Sequence, residues 1–395
     1  MTDPTPPDPF SPTTLGPLTL RNRFVKAATF EGMTPDHVVT DPLIEFHRRM
    51  AAGGVALTTL AYCAVSDEGC GTPNEIVLTP EAGPGLARLA DAVHAEGALV
   101  SAQIGHAGAV AAGTGRQGVS PSRLFSPLAM RRTGAASAAD IARITREFAA
   151  AAEVVAGAGF DAVELHLGHG YLLSEFLSPK LNRRTDAWGG ELQARARFPR
   201  DVCRVVREAV GRGVAVTAKL NLLDGVSGGF GVDECVEVAR MLEADGALDA
   251  IELTGGSSLQ NPMFLFRGDA PIAELAGAMR QPMRTGMKLV GGRFLRSYPY
   301  EEAYFLPPAR LVRDAVRMPL ILLGGISRLE TVRTAMAEGF EFVAMGRALV
   351  MQPDLVARWR DGATEPSECT HCNRCMATIY AGTHCPLVQE APALA

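Results

Sequence analysis

Lysine is almost absent from this chain. Of 38 basic residues only Lys26, Lys180, Lys219 and Lys288 are lysine, so one at the mouth of a core strand carries information. No run of like charges occurs and the formal net charge is -5, which leaves no electrostatic footprint for nucleic acid or an anionic membrane. No stretch of about 18 consecutive apolar residues is present, so no membrane-spanning helix is expected. The 8 cysteines form no secreted-type disulfide framework in a chain of 395 residues. With 47% hydrophobic and 21% charged residues, whole-chain disorder, collagen and coiled coil are excluded. A small-molecule partner and a cytoplasmic setting are expected, and assembly into a homo-oligomer is left open.

The first residues, MTDPTPPDPFSPTTLGPL, are rich in proline and have neither a basic segment nor an apolar one, so they read as an extended, solvated lead-in and not as a signal peptide. Beyond them, short apolar β-branched runs alternate with longer amphipathic stretches, the pattern of βα units on a parallel sheet. Candidate strands are Phe24 to Thr29, Val55 to Leu60, Ala98 to Gln103, Asp161 to His166, Val214 to Leu220, Ala250 to Thr254, Leu320 to Leu323 and Phe342 to Met345. Helical patterns separate them, and an eighth, Ala348 to Arg360, follows the last strand. Eight such repeats close most economically into a (β/α)8 TIM barrel, with a doubly wound open sheet as the alternative. The expected organisation is a Pro-rich lead-in over 1–20, a barrel over 21–360 and a Cys-rich tail over 361–395. Excess length falls in the loops after strands three, four and six, on the C-terminal rim where barrel chemistry is built.

Gly324 and Gly325 end strand seven, and Gly346 and Arg347 end strand eight. Loops at these positions commonly bind phosphate, because glycine lets backbone amides approach an anion and arginine can grip it with two bonds. Ordinary tight turns are the plainer alternative for either pair alone. Tyr62, Gln103 and Lys219 lie at the ends of strands two, three and five and should converge on the same rim. An amide offering donor and acceptor suits the pyrimidine edge of a flavin, and a lysine beside it would stabilise charge on the reduced ring. The run from His166 through His169 to Tyr171 sets two imidazoles and a phenol within six residues. Two imidazoles can polarise one carbonyl, and a phenol can donate a proton to carbon as charge develops there. A zinc site or plain structural histidines are the competing assignments.

The run HLGHGYLLSEFLSPKLNRRTDAWGG, His166 to Gly190, resembles the signature of the old yellow enzyme family of FMN-dependent ene-reductases. The likeness extends over roughly residues 15 to 360, through LRNRFVKAAT at strand one, QxxHxG from Gln103, LGGI at strand seven and MGRALV at strand eight. It implies a barrel holding FMN at its C-terminal face and taking electrons from NADH or NADPH. By the same resemblance Gln103 and Lys219 contact the flavin ring, and Gly324, Gly325, Gly346 and Arg347 hold its phosphate. His166 and His169 bind the substrate carbonyl, and Tyr171 protonates the reduced alkene. Two departures stand out. Lys219 replaces the arginine of many members, which keeps the charge but loses the fork. At strand one the family's hydroxyl or thiol position falls on Phe30 in the simplest register, with Thr29 just before it.

The tail carries Cys369, Cys372, Cys375 and Cys385, a spacing suited to an iron-sulfur cluster or a structural zinc. It resembles, with tighter spacing, the cluster-binding segment of the dienoyl-CoA reductase and trimethylamine dehydrogenase branch. Free thiols or a regulatory disulfide are the alternatives. The long loop from Gly255 to Glu302 is rich in Met, Phe and Tyr and reads as a hydrophobic cap that also shapes a substrate pocket. Flavin-dependent amine or alcohol oxidation, a flavin-holding redox sensor and a metal-dependent barrel lyase or hydrolase are the competing functions.

Overall fold

The protein is described by a computed structural model covering residues 6–112, 117–126 and 129–394. The start of the lead-in and two short pieces of the long loop after strand three lie outside these residues. Eight parallel strands form the centre: β1 (Phe24–Lys26), β2 (Leu57–Ala64), β3 (Leu99–Gly105), β4 (Ala162–Leu167), β5 (Ala215–Asn221), β6 (Ala250–Thr254), β7 (Leu320–Leu322) and β8 (Phe342–Met345). They pair in chain order, and β8 returns to β1 through Val343 opposite Phe24, which closes the ring and excludes the open sheet. Around them run α1 (Asp41–Ala52), α2 (Gly83–His94), α3 (Ala138–Gly157), α4 (Leu192–Val210), α5 (Val232–Asp245), α6 (Leu306–Arg313), α7 (Leu329–Ala337) and α8 (Leu355–Arg360). The architecture is the (β/α)8 barrel expected from the pattern of runs.

Local chemistry sets the element boundaries. A capping box between Ser137 and Asp140 starts α3, and Thr40 accepts from the Leu43 amide to start α1. α5 stops at Gly246, which takes the left-handed conformation. Strand one is shorter than its apolar run. The chain leaves the ladder after Lys26, whose ammonium is buried 2.6 Å from Glu31 five residues on. The last helix, expected as one piece, is broken into Arg347–Met351 and α8 around Pro353, whose ring cannot continue the turn.

The lead-in corrects a second expectation. Instead of remaining extended and solvated throughout, it pairs Thr13–Leu15 with Leu18–Leu20 as an antiparallel hairpin. Leu15 and Leu20 are fully buried against Val25, Leu57, Ala162, Ala215, Ala250, Ile321 and Phe342 and so floor the barrel at the strands' N-terminal ends. The two leucines remove enough apolar surface from water to outweigh the segment's proline content.

Above this floor the barrel is polar where branched aliphatics are usual. Glu164 and Glu252 point inward beside their register partners Gln103 and Lys219, and His166 follows two residues after Glu164, all buried. The loop after β6 folds into three short helices, Pro262–Phe266, Ile272–Ala278 and Met283–Phe294. Its core of Met263, Leu275 and Leu295 packs against Met376 and Ala377, so this cap joins the Cys-rich tail. No helix among the described residues is long and apolar enough to cross a membrane.

If the hairpin is part of the barrel floor, Leu15→Ala costs about 2–5 kcal/mol of unfolding free energy. Denaturant melts should register a lower midpoint at unchanged slope. A loss below about 0.5 kcal/mol, the size of a surface change, would separate the hairpin from the barrel.

Candidate active site

β4 ends on His166 and Leu167, and the chain then turns over Gly168, His169 and Gly170 before the short helix Leu172–Leu177. His169 takes φ 60°, uncommon for a residue with a Cβ, and Gly170 follows at φ 71°. This turn lifts the second imidazole beside the first, with ring centres 4.9 Å apart. It also brings the Tyr171 ring to 4.6 Å from His166, and Tyr62 of β2 packs 5.1 Å from Tyr171. Tyr62, Tyr171, His166 and His169 thus form one contiguous row of rings across the C-terminal mouth of the barrel.

Burial determines their protonation. The His166 imidazole is held well below its ordinary range by burial, with His169 and Lys219 adding to the effect. Burial and Lys219 push His169 down to about 3. Both rings are therefore neutral and able to donate one N–H each. His169 Nε2 lies 2.8 Å from Thr254 Oγ1 and its backbone amide donates to Asn221 Oδ1, which fixes the ring, whereas His166 Nδ1 is buried without a partner. Burial, aided by Glu75, raises the Tyr171 phenol, so it keeps its proton throughout the neutral range.

Gln103 and Lys219 meet through Glu164, two residues before His166 on the same face of β4. Gln103 Nε2 donates to Glu164 Oε1 at 2.7 Å, and Lys219 Nζ lies 3.2 Å from the same oxygen. Lys219 also approaches Glu252 Oε1 at 2.7 Å. Burial alone would lower the lysine, but Glu164 and Glu252 carry it above its ordinary value. The ammonium is charged at the base of the site.

At the opposite end of the mouth, Gly324 (φ 115°) and Gly325 (φ 71°) follow β7. A Cβ at either would meet Phe305 or Tyr304 within 2.7 Å, so packing requires these glycines as well as any anion would. Gly346 faces the Thr29 side chain, whose hydroxyl is buried and unpartnered, while Phe30 packs in the cluster around Tyr62. Thr29 is thus the strand-one residue that abuts the strand-eight turn. Arg347 donates to the Arg267 carbonyl at 2.8 Å and also bonds the Asn373 side chain, so it ties the end of β8 to the tail.

Unsatisfied buried polar atoms are costly and call for a partner. Thr29 Oγ1, Tyr62 Oη, His166 Nδ1 and Ser257 Oγ are four such atoms on rim residues of the barrel. Together with the Gln103 amide and the Lys219 charge, this donor set fits a flat, polar-edged ring system such as a flavin.

The tail cysteines are free thiols, Cys385 buried and Cys369, Cys372 and Cys375 partly so. Burial raises Cys369, and it pushes Cys375 up to about 12. Each of these two also responds to the other tail thiols and to Arg347, so the four are near neighbours. Among the described residues no three His, Cys, Asp or Glu side chains converge on a single-ion site.

Thr254, Asn221, Ser257, Glu164 and Glu252 were not singled out from the sequence. Four of them have a signal there, since Glu252 and Thr254 share the inward phase of β6, Asn221 shares that of Lys219, and Glu164 that of His166, whereas Ser257 lies in the loop after β6 and has none.

Residues 8–253 match the NADH:flavin oxidoreductase / NADH oxidase family. The chain is 51% identical to a 4,4'-dithiodibutanoate disulfide reductase from Rhodococcus erythropolis, with 100% of both chains covered. It is 34% identical to a metal reductase from Desulforamulus reducens, over 94% of this chain and 52% of that one. A solved 2-naphthoyl-CoA reductase shares the fold with a TM-score of 0.81 at 24% identity, covering 95% of this chain and 56% of the other. The chain therefore spans the whole of the first relative and about half of the other two.

With both imidazoles neutral, the C–H resonances of His166 and His169 should stay flat in an NMR titration from about pH 5 to pH 8, across the ordinary histidine pKa. A midpoint between those limits for either ring would reverse the protonation assignment.

Proposed function

The chain belongs to the NADH:flavin oxidoreductase / NADH oxidase family, and from that premise we propose that it carries hydride from NADH or NADPH through FMN to a small electrophile held over the imidazole pair. FMN, when bound, accepts hydride from the nicotinamide and delivers it to the acceptor. The chain's own residues do the rest. Gln103 and Lys219 bind the ring, Thr29 and Tyr62 complete its polar contacts, and Gly324, Gly325, Gly346 and Arg347 hold the phosphate. His166 and His169 donate to one acceptor oxygen and polarise it, and Tyr171 gives up the proton.

A carbon-carbon double bond conjugated to a carbonyl is the acceptor that uses every member of this set. The observation that carries this choice is the pair of neutral imidazoles 4.9 Å apart with the phenol 4.6 Å from one of them. Neutral N–H groups stabilise an oxygen as negative charge grows on it, and a phenol at that distance can supply the carbon with a proton.

The full-length relationship to a disulfide reductase favours a second acceptor, the sulfur-sulfur bond of a small organic disulfide. There hydride would go to one sulfur, and Tyr171 would protonate the thiolate leaving from the other. For the tail, four thiols are the donor set of an iron-sulfur cluster, in which each sulfur binds a different iron. Cys369, Cys372, Cys375 and Cys385 would hold it, and it would supply one-electron transfer next to Arg347.

Purified protein should be yellow, and NADH or NADPH should bleach it anaerobically. In stopped-flow half-reactions Tyr171→Phe should slow reoxidation by an enone by about 10²–10⁴-fold while leaving bleaching by the nicotinamide intact. Equal loss in both halves removes Tyr171 from the proton step, and bleaching by amines in place of nicotinamide reverses the reaction's direction. Reoxidation by a dithio-dicarboxylate but not by the enone would select the second acceptor.

Iron and acid-labile sulfide should be found in the protein and be lost in Cys375→Ser. Neither being present after anaerobic purification would leave the tail as plain thiols.

A further inference from the structure

Inside the barrel the charges do not balance. Among the described residues Lys219 is the one cation facing inward at its level, and it meets two carboxylates, Glu164 and Glu252. Lys219 and Glu252 are cross-strand neighbours on β5 and β6, and all three side chains are no more than 3% exposed. Glu164 Oε1 accepts from both Gln103 and Lys219. Glu252 Oε1 stands 2.7 Å from Lys219 Nζ but off the direction of a hydrogen bond, and both Glu252 oxygens are buried without a hydrogen-bond partner.

Among the described residues the surroundings supply no second cation. β7 sets Ile321 directly beside Glu252, and β8 presents Ala344. The neighbouring Lys26 feels both Lys219 and Glu164, but it is already paired with Glu31 and lies against Phe46 of α1. The groups facing Glu252 are therefore Lys219, Glu164 and the His166 ring above them, which stays neutral. A buried carboxylate that shares its one cation with a second carboxylate is relieved most cheaply by a proton.

We propose that Glu252 is the proton store of the flavin site: it binds one proton from solvent when the ring above Lys219 gains negative charge, and releases it when that charge leaves. This inference rests on the proposed FMN reading. The balance is simple. Hydride from NADH or NADPH brings two electrons and one proton to the ring and leaves it one unit more negative, and Glu252 compensates by going from carboxylate to carboxylic acid. Reoxidation by the acceptor reverses both changes. The proton that Tyr171 gives the acceptor is separate.

Burial, opposed by Lys219, pushes Glu252 up to about 7, so the exchange falls in the working range of pH. As a raised group it is protonated below that value and ionised above it while the ring is oxidised. A reduced ring raises it further. Between the two values, reduction takes up one proton more than hydride transfer alone requires.

The test is potentiometry of the FMN-loaded protein, followed by flavin absorbance across pH. One proton per two electrons shifts the reduction equilibrium tenfold per pH unit, 29.6 mV for a two-electron couple. The wild type should gain a second tenfold step per pH unit in a window beginning at about pH 7. Glu252→Gln should show the single step throughout. Glu164→Gln, which leaves Glu252 as the lone carboxylate on Lys219, should move the window to lower pH. Should Glu252→Gln fail to fold, reduced-minus-oxidised infrared spectra of the wild-type holoenzyme decide the matter by the gain of a protonated-carboxyl band.

FMN bound at full occupancy with a single-step slope in the wild type, or with no carboxyl band gained, overturns the proton store and leaves the flavin reading standing. Failure to bind FMN at all sinks that reading and this one with it.

Discussion

One ammonium shared by two carboxylates inside a closed barrel governs the layout of the whole mouth. A ring of parallel strands forces inward residues into common layers, so what β5 places at Lys219 must be answered by β4 and β6. Glu164 and Glu252 provide the answer, and the first of them also orients the Gln103 amide. Such an arrangement is expensive. Each buried ion costs several kcal/mol of desolvation, and a well-packed apolar layer would be the more stable choice. The apolar floor of Leu15, Leu20, Ile321 and Phe342 beneath and the helix layer outside offset that cost. Burial keeps His166 and His169 neutral, and the same lysine adds to the effect.

The Cys-rich tail is built into this mouth rather than trailing from it. Buried Asn373 donates to the backbone carbonyls of Arg267 and Asp269 in the β6 loop and is held by Arg347. Thr383 donates to the Phe30 carbonyl through its hydroxyl and to the Glu31 carbonyl through its amide. Gly32 passes so close to the Ile379 carbonyl that a Cβ there would lie 1.9 Å from it. His371 stacks on Tyr300 with ring centres 3.4 Å apart, and Tyr300 in turn donates to the Gly325 carbonyl. The cysteine-bearing segment is therefore in contact with the strand-one loop, the β6 cap and the turns after β7 and β8 at once.

Much of this was legible in the sequence, for definite reasons. The eight strands announced themselves because strands buried on both faces read as continuous apolar runs, and the helix ends because glycine and capping residues mark them. The ring row was legible because His166, His169 and Tyr171 are close in sequence. Glu252, Thr254, Asn221 and Ser257 escaped notice because their importance is a matter of register between strands, which no local window contains. The hairpin on Leu15 and Leu20 was masked by the prolines around it. The strand-one ambiguity yielded only to geometry: Thr29 meets Gly346, and Phe30 turns to the Tyr62 cluster.

The two proposed acceptors make different demands on the same side chains. An enone needs the imidazole pair, because its charge develops on an oxygen that must be met by N–H donors already in position. A disulfide develops charge on sulfur, a poor hydrogen-bond acceptor, and needs above all an acid for the departing thiolate. Tyr171 serves both, since burial keeps its proton in place until a stronger base forms beside it. The imidazoles serve the first acceptor alone. The fixing of His169 by Thr254 and Asn221, and the neutrality of both rings, are features that disulfide chemistry would not require. In the proposed reading the site therefore favours an acceptor with a polarisable oxygen, and a disulfide would make use of the same hydride and the same acid.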